Sequence, residues 1–189
     1  MTQKVGQANE IVRYANSTWT RMLDSRCKQD PKVVEARDLV VIGLDPGETT
    51  GYAFAVQDSM MHIGQMATPD TITGYNEVVN LLHRVQDLTA YSRDIVIVCE
   101  DYKVYAWKAD THKWAGLHTP QLIGAIRVAA YQNNIPIVFQ MAVEGKTFAT
   151  DDQLKLWDLY DPGMRHGRDA SRHIARFRFF PQWPKTPVA

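Results

Sequence analysis

VVIGLDPGETTGYAFAV, from Val40 to Val56, decides the fold. An apolar run (Leu39, Val40, Val41, Ile42) ends in one acid, Asp45, and a Pro-Gly turn leads into a second β-forming run, TGYAFAV. The pattern predicts strand, acid, turn, strand. A carboxylate inside a strand-forming apolar stretch is costly to desolvate unless a cation, a metal or a hydrogen-bond network meets it. Taken alone, Asp45 is equally well read as the first residue of an Asp-Pro-Gly turn. The rest of the chain has to decide.

Working outward, MMHIGQMAT predicts a third strand, antiparallel to the second across a short turn at residues 57–59. Between Thr71 and Tyr91, Tyr75, Val78, Val79, Leu82 and Val85 fall on one helical face. That helix returns the chain to DIVIVCE, a nearly continuous apolar run suited to a buried middle strand, which ends in Glu100 and Asp101. Thr119 is expected to cap a helix with Pro120 at its first position and Leu122, Ile123, Ile126, Ala129 and Ala130 on its buried face. IPIVFQ then predicts a fifth strand, and a polar connection around Lys146 leads to a short helix with Leu154, Leu156 and Trp157. Upstream, Ile11, Ala15, Trp19 and Met22 or Leu23 recur at helical spacing, which predicts one amphipathic helix over residues 9–25. Residues 1–37 therefore read as an N-terminal extension, part helical, that packs on the core, binds a partner or stays mobile. The sum is an α/β fold: a five-stranded mixed sheet flanked by helices, with one domain over residues 38–180 and a tail over 181–189.

The last predicted helix, from about Met164 to Phe179, carries HGRDASRH. At roughly 100° per residue, Asp169, His173 and His166 fall within about 60° of one another, and Phe177, Ala170 and Ile174 take the next arc. Arg165, Arg168, Arg172 and Arg176 cluster on the other side of the acid. Such a stripe suits a polyanion, and it is equally the pattern of a solvated helix face.

Composition narrows the class. The chain has 189 residues, 45% hydrophobic content and zero formal net charge, enough for one core and against a globally basic binder. Residues 1–102 hold 9 Lys and Arg against 14 Asp and Glu, whereas residues 103–189 hold 12 against 7, so a polyanion finds its attraction in the second half. There, Tyr102, Tyr105, Trp107 and Trp114 interleave with Lys103, Lys108, His112 and Lys113. Rings that stack on bases and ammonium groups that meet phosphates suit nucleic acid, and the other reading is a loop whose aromatics fold back on the core. Cys27 and Cys99 have no metal-type spacing, and Cys99 reads as a core residue, so neither a disulfide framework nor a zinc site is expected. No secretion signal or membrane span is expected, which places the chain in the cytoplasm, the host's if the gene is phage-borne.

Asp45, Glu100 and Asp169, with His166 three residues before the last, thus form a set on adjacent strands and a late helix. Three carboxylates in a partly buried site invite hard divalent cations such as Mg²⁺. A pair of such ions roughly 4 Å apart is the arrangement used in phosphodiester hydrolysis. GLDPGETTGYA, the Glu100 strand and HGRDASRH resemble the three acidic motifs of the ribonuclease-H-like superfamily, and more narrowly the RuvC-type Holliday-junction resolvases, particularly their shortened phage-borne versions. The resemblance covers residues 39–178. It implies a ribonuclease-H-like fold and a nuclease in which Asp45 bridges two Mg²⁺ ions (Mn²⁺ substituting), Glu100 and Asp169 each ligate one, and His166 is the fourth member. It also implies that Lys146 offsets charge on the phosphate, that Tyr102 or Tyr105 wedges open the junction, and that the protein acts on branched DNA as a homodimer. Asp101 departs from the pattern, either as a substitute ligand or as a residue pointing the other way. DPGETTG also resembles the phosphate loop of actin-like ATPases and sugar kinases, so an actin-like phosphotransferase is an alternative, although that architecture needs two lobes. A non-catalytic nucleic-acid scaffold is the third reading.

Overall fold

A computed structural model describes residues 9–56, 58, 60–89, 94–103 and 117–183. The element order is β1 (Asn9–Tyr14), α1 (Ser17–Cys27), α2 (Pro31–Asp38), β2 (Val40–Asp45), β3 (Thr49–Ala55), β4 (Met60–Ala67), α3 (Thr71–Leu88), β5 (Ile95–Asp101), α4 (His118–Gln132), β6 (Ile137–Met141), α5 (Ala142–Phe148), α6 (Asp151–Leu156) and α7 (Arg165–Phe179). The strands form one mixed sheet in the order β1-β4-β3-β2-β5-β6. β1 to β4, β4 to β3 and β3 to β2 are antiparallel, whereas β2 to β5 and β5 to β6 are parallel.

Strand alternation sorts the core into two layers. Val40, Ile42 and Leu44 of β2 and Ile95, Ile97 and Cys99 of β5 pack against Val78, Leu82 and Val85 of α3 and Leu122 and Ile126 of α4. Val41, Val96 and Val98 face the other way, onto Ala170, Ile174 and Phe177 of α7. The odd positions of β2 therefore put Asp45, and the even positions of β5 put Glu100, beneath α7. Two glycines let that helix come close. A Cβ at Gly43 would overlap the Ala170 carbonyl, and one at Gly51 would overlap the His166 carbonyl. Backbone meets backbone at both places.

Two sequence expectations change near the N-terminus. The single helix over 9–25 is a strand followed by a helix, and β1 makes the sheet six-stranded rather than five-stranded. NEIVRY extends the β3-β4 meander by pairing with β4, and Asn16, whose side chain accepts from Thr18 N at 2.9 Å, starts the helix afresh. Residues 9–38 pack on the core: Trp19, Leu23, Val33 and Ala36 are buried with α7. Trp19 meets Trp157 and Phe179 edge-on at 5.1 and 5.0 Å between ring centroids. Arg178, buried on α7, donates to the carbonyls of Ala36 and, at 2.9 Å, Leu39.

A third change concerns α4, which begins at His118 with no side-chain cap, so Pro120 sits at the third helical position and Thr119 is not the cap. Proline is tolerated there because the N–H of that position has no intrahelical acceptor. The polar connection around Lys146 is itself a helix, α5. Cys99 is a buried free thiol, as its apolar run predicts. No helix among the described residues is long and apolar enough to cross a membrane.

Candidate active site

Leu44 pairs with Cys99 across the parallel β2-β5 ladder, so Asp45 and Glu100 follow side by side at the carboxyl ends of the two central strands. α7 lies over them and carries His166 and Asp169. His166 Nδ1 is 2.9 Å from Asp45 Oδ2. Lys146, on α5, places its ammonium 3.3 Å from Asp169 Oδ2. All five residues expected from sequence are thus brought to one place.

α7 has no local cap at its start. Instead Gln65 of β4 accepts from the His166 N–H at 3.0 Å, so the helix is registered on the sheet through the residue that faces Asp45. The acids act on one another electrostatically. Burial pushes the Asp45 carboxyl up to about 6, the Glu100 and Asp169 charges add to the rise, and His166 opposes it. Like charges crowded at the end of apolar strands favour a proton or a cation.

Each carboxylate has taken a partner from the chain. Glu100 Oε2 is 3.0 Å from His173 Nε2, whose Nδ1 is 3.0 Å from Gln140 Oε1 on β6. Asp169 is gripped by Arg172 as well as by Lys146, and Arg172 also reaches Asp151 at the start of α6. Among the described residues, no three His, Cys, Asp or Glu side chains close around one point to hold a metal ion. The donor chemistry nevertheless suits a hard divalent cation: three carboxylates, one of them pushed up by burial and then by its neighbours' charges, with the second oxygens of Asp45 and Glu100 unpaired among the described residues.

Other expectations change in detail. Arg172 is buried between Asp169 and Asp151, and Arg168 is largely buried, donating to the Asp161 carbonyl at 2.7 Å with its guanidinium over Tyr160. The stripe is therefore neither a solvated face nor a continuous basic surface, and of its members Arg165 is the exposed one. Asp101 Oδ1 accepts from Tyr102 N at 3.0 Å, and Asp101 borders the same pocket as Glu100. Tyr102 is half-buried against the α3-α4 layer, and Lys103 is exposed beside it. Both border a shallow pocket of about 180 Å³ that reaches Glu100 and Met141. Tyr105, Lys108 and Lys113 lie outside the described residues. The turn after Asp45 is closed on itself: Thr68 Oγ1 donates to the Gly47 carbonyl and lies 2.7 Å from Thr50 Oγ1. Gly47 N–H meets Thr50 Oγ1 at 3.4 Å instead of standing open to a phosphate. Sequence reasoning did not assign His173, Gln140 or Gln65; the seven-residue spacing of His166 and His173, two turns on one face, was the available signal.

The chain is similar in structure to Thermus thermophilus RuvC in complex with Holliday junction substrate, with a TM-score of 0.54 and 19% identity, over 75% of this chain and 94% of that one. The fold is that of RuvC. Thermus thermophilus RuvC in a second structure gives a TM-score of 0.49 at 17% identity, over 75% of this chain and 95% of that one. The yeast mitochondrial Holliday junction resolvase Ydc2 gives 0.48 at 13% identity, over 85% and 92%. No protein-family model and no curated protein sequence matches the chain.

Proposed function

We propose that the protein is a metal-dependent, structure-selective endonuclease that hydrolyses phosphodiesters in branched DNA such as four-way junctions. The observation that carries this reading is the meeting of Asp45 and Glu100 at the strand ends with Asp169 of the overlying α7, in a fold shared with a protein whose structure was obtained with a Holliday junction substrate. Asp45, Glu100, Asp169 and His166 are the residues that would hold a pair of Mg²⁺ ions, with Mn²⁺ as substitute. The chemistry such ions supply is activation of the attacking water and stabilisation of the leaving 3′-oxygen. Lys146, half-exposed beside Asp169, offsets charge on the phosphate. Lys103 and Arg165, exposed on β5's exit and α7's first turn, meet the DNA backbone in this reading, and Tyr102, half-buried beside Lys103, acts at the branch point. A two-fold junction calls for a homodimer with paired sites.

The test is cleavage of a labelled four-way junction beside its linear duplex, with Mg²⁺ or Mn²⁺ and with EDTA, running Asp45→Asn in parallel. Junction-selective, metal-dependent cutting that disappears in the variant supports the proposal. Equal cutting of the duplex removes the junction selectivity; binding without cutting under every metal condition removes the nuclease.

A further inference from the structure

His173 stands one turn beyond Asp169 on α7 and is 1% exposed. Its Nε2 meets Glu100 Oε2 and its Nδ1 meets Gln140 Oε1, each at 3.0 Å, and Gln140 is itself 2% exposed. A third wall comes from α5, where a Cβ at Gly145 would lie 3.2 Å from His173 Cε1 and Nδ1. One ring therefore joins α7 to β5 and β6 with α5 closing behind it. A carboxylate only accepts, so the ring donates from Nε2. Nδ1 is engaged by the Gln140 amide, whose oxygen and nitrogen have the same shape, so both ring nitrogens hold a partner.

Glu100 is a long side chain near the end of a strand, and ordering such a chain costs it rotamer freedom. We infer that His173, braced by Gln140, is a positioning residue for Glu100: it occupies Oε2, leaves Oε1 as the oxygen for a divalent cation, and fixes the rotamer before the cation binds. The inference rests on the reading of Glu100 as a metal ligand. It goes beyond that reading by giving the buried histidine and the buried glutamine one shared role.

The experiment measures Mn²⁺ binding to the full chain without DNA, from the electron paramagnetic resonance signal of free Mn²⁺, alongside thermal unfolding and the Mg²⁺ dependence of junction cleavage. His173→Asn keeps an amide near Nδ1 for Gln140 but cannot reach Glu100, and Mn²⁺ affinity should fall by about 10–100-fold, the usual loss when an outer partner of a metal ligand is removed. The Mg²⁺ concentration for half-maximal cleavage should rise in parallel, with KM for the junction unchanged. His173→Gln carries its amide out to the Nε2 position and should recover most of the loss, which a merely space-filling role does not predict. Gln140→Met, which leaves the Glu100 contact and removes the brace, should weaken binding by a smaller factor, and it decides the matter if His173→Asn does not fold. Wild-type Mn²⁺ affinity in folded His173→Asn or in Gln140→Met, or equal losses in His173→Gln and His173→Asn, overturns the inference. Glu100→Gln separates the two levels: if it binds Mn²⁺ and cleaves like the wild type, Glu100 is no ligand and both readings fall; if it loses both while His173→Asn keeps them, only the positioning role falls.

Discussion

Replacing Gly51 by alanine tests whether the approach of α7 to the sheet sets the active-site geometry. The new Cβ would overlap the His166 carbonyl and lie 2.6 Å from Gly167 N. All of these are backbone atoms, so no rotamer change relieves the overlap, and α7 must move. Overpacking of this kind typically costs about 1–3 kcal/mol, and a contact with backbone belongs near the top of that range. For a chain of this size, about 3 kcal/mol corresponds to a fall in Tm of roughly 6–12 °C. A displacement of about 1 Å would stretch the 2.9 Å contact between His166 Nδ1 and Asp45 Oδ2 beyond hydrogen-bonding distance. Misplacement on that scale costs a catalytic site about 10²-fold in rate. Gly124 supplies the control, since a Cβ there meets nothing within 4 Å on helix α4. Gly124→Ala should gain roughly 0.5–1 kcal/mol from helix propensity, raise Tm by about 1–4 °C and leave cleavage unchanged. The assays are differential scanning calorimetry and the initial rate on a four-way junction. Wild-type melting and cleavage in Gly51→Ala would show that the helix is free to sit further from the sheet, and would refute the reasoning.

The remaining expectations are direct. Asp45→Asn and Asp169→Asn should each abolish cleavage while junction binding by gel shift survives, and retained cutting in either removes that residue from the site. Because the folded Asp45 carboxyl titrates near 6 and its unfolded counterpart near 3.8, its ionisation opposes folding: the penalty is full above pH 6 and fades as the pH falls toward 3.8. At about 1.4 kcal/mol per unit the penalty is about 3 kcal/mol, so metal-free Asp45→Asn should be more stable than wild type at pH 7 and lose that advantage by pH 4, read from denaturation curves. Trp19→Ala should cost about 3–5 kcal/mol, because the ring is buried against Trp157 and Phe179, and near-wild-type stability would show that the N-terminal segment is dispensable to the core.

The central strands were legible because their apolar runs are buried on both faces, and HGRDASRH because helical spacing puts His166 and Asp169 on one arc. Residues 9–14 misled because NEIVRY sets Ile11 and Val12 side by side with no apolar-polar alternation, so the helical spacing of Ile11, Ala15 and Trp19 stood out; its pairing with β4 is a tertiary fact. Arg172 misled for a related reason. Its helical arc is set by sequence, but its burial depends on Asp151, 21 residues away, folding beneath it. The partners of Glu100 were equally hidden, since Gln140 and His173 meet only once β6 and α7 are packed.

The first turn of α7 is tied to a glutamine on β4, and the helix brings Asp169 to acids contributed by β2 and β5. Asp169 is also the last of the three acids to be synthesised. Until the meander has formed and the final helix has docked on it, the two earlier acids sit without their third member. A chain proposed to sever DNA would therefore gain its activity only on completing its fold: a half-made copy, or one partly unfolded by stress, would pose no threat to the genome around it.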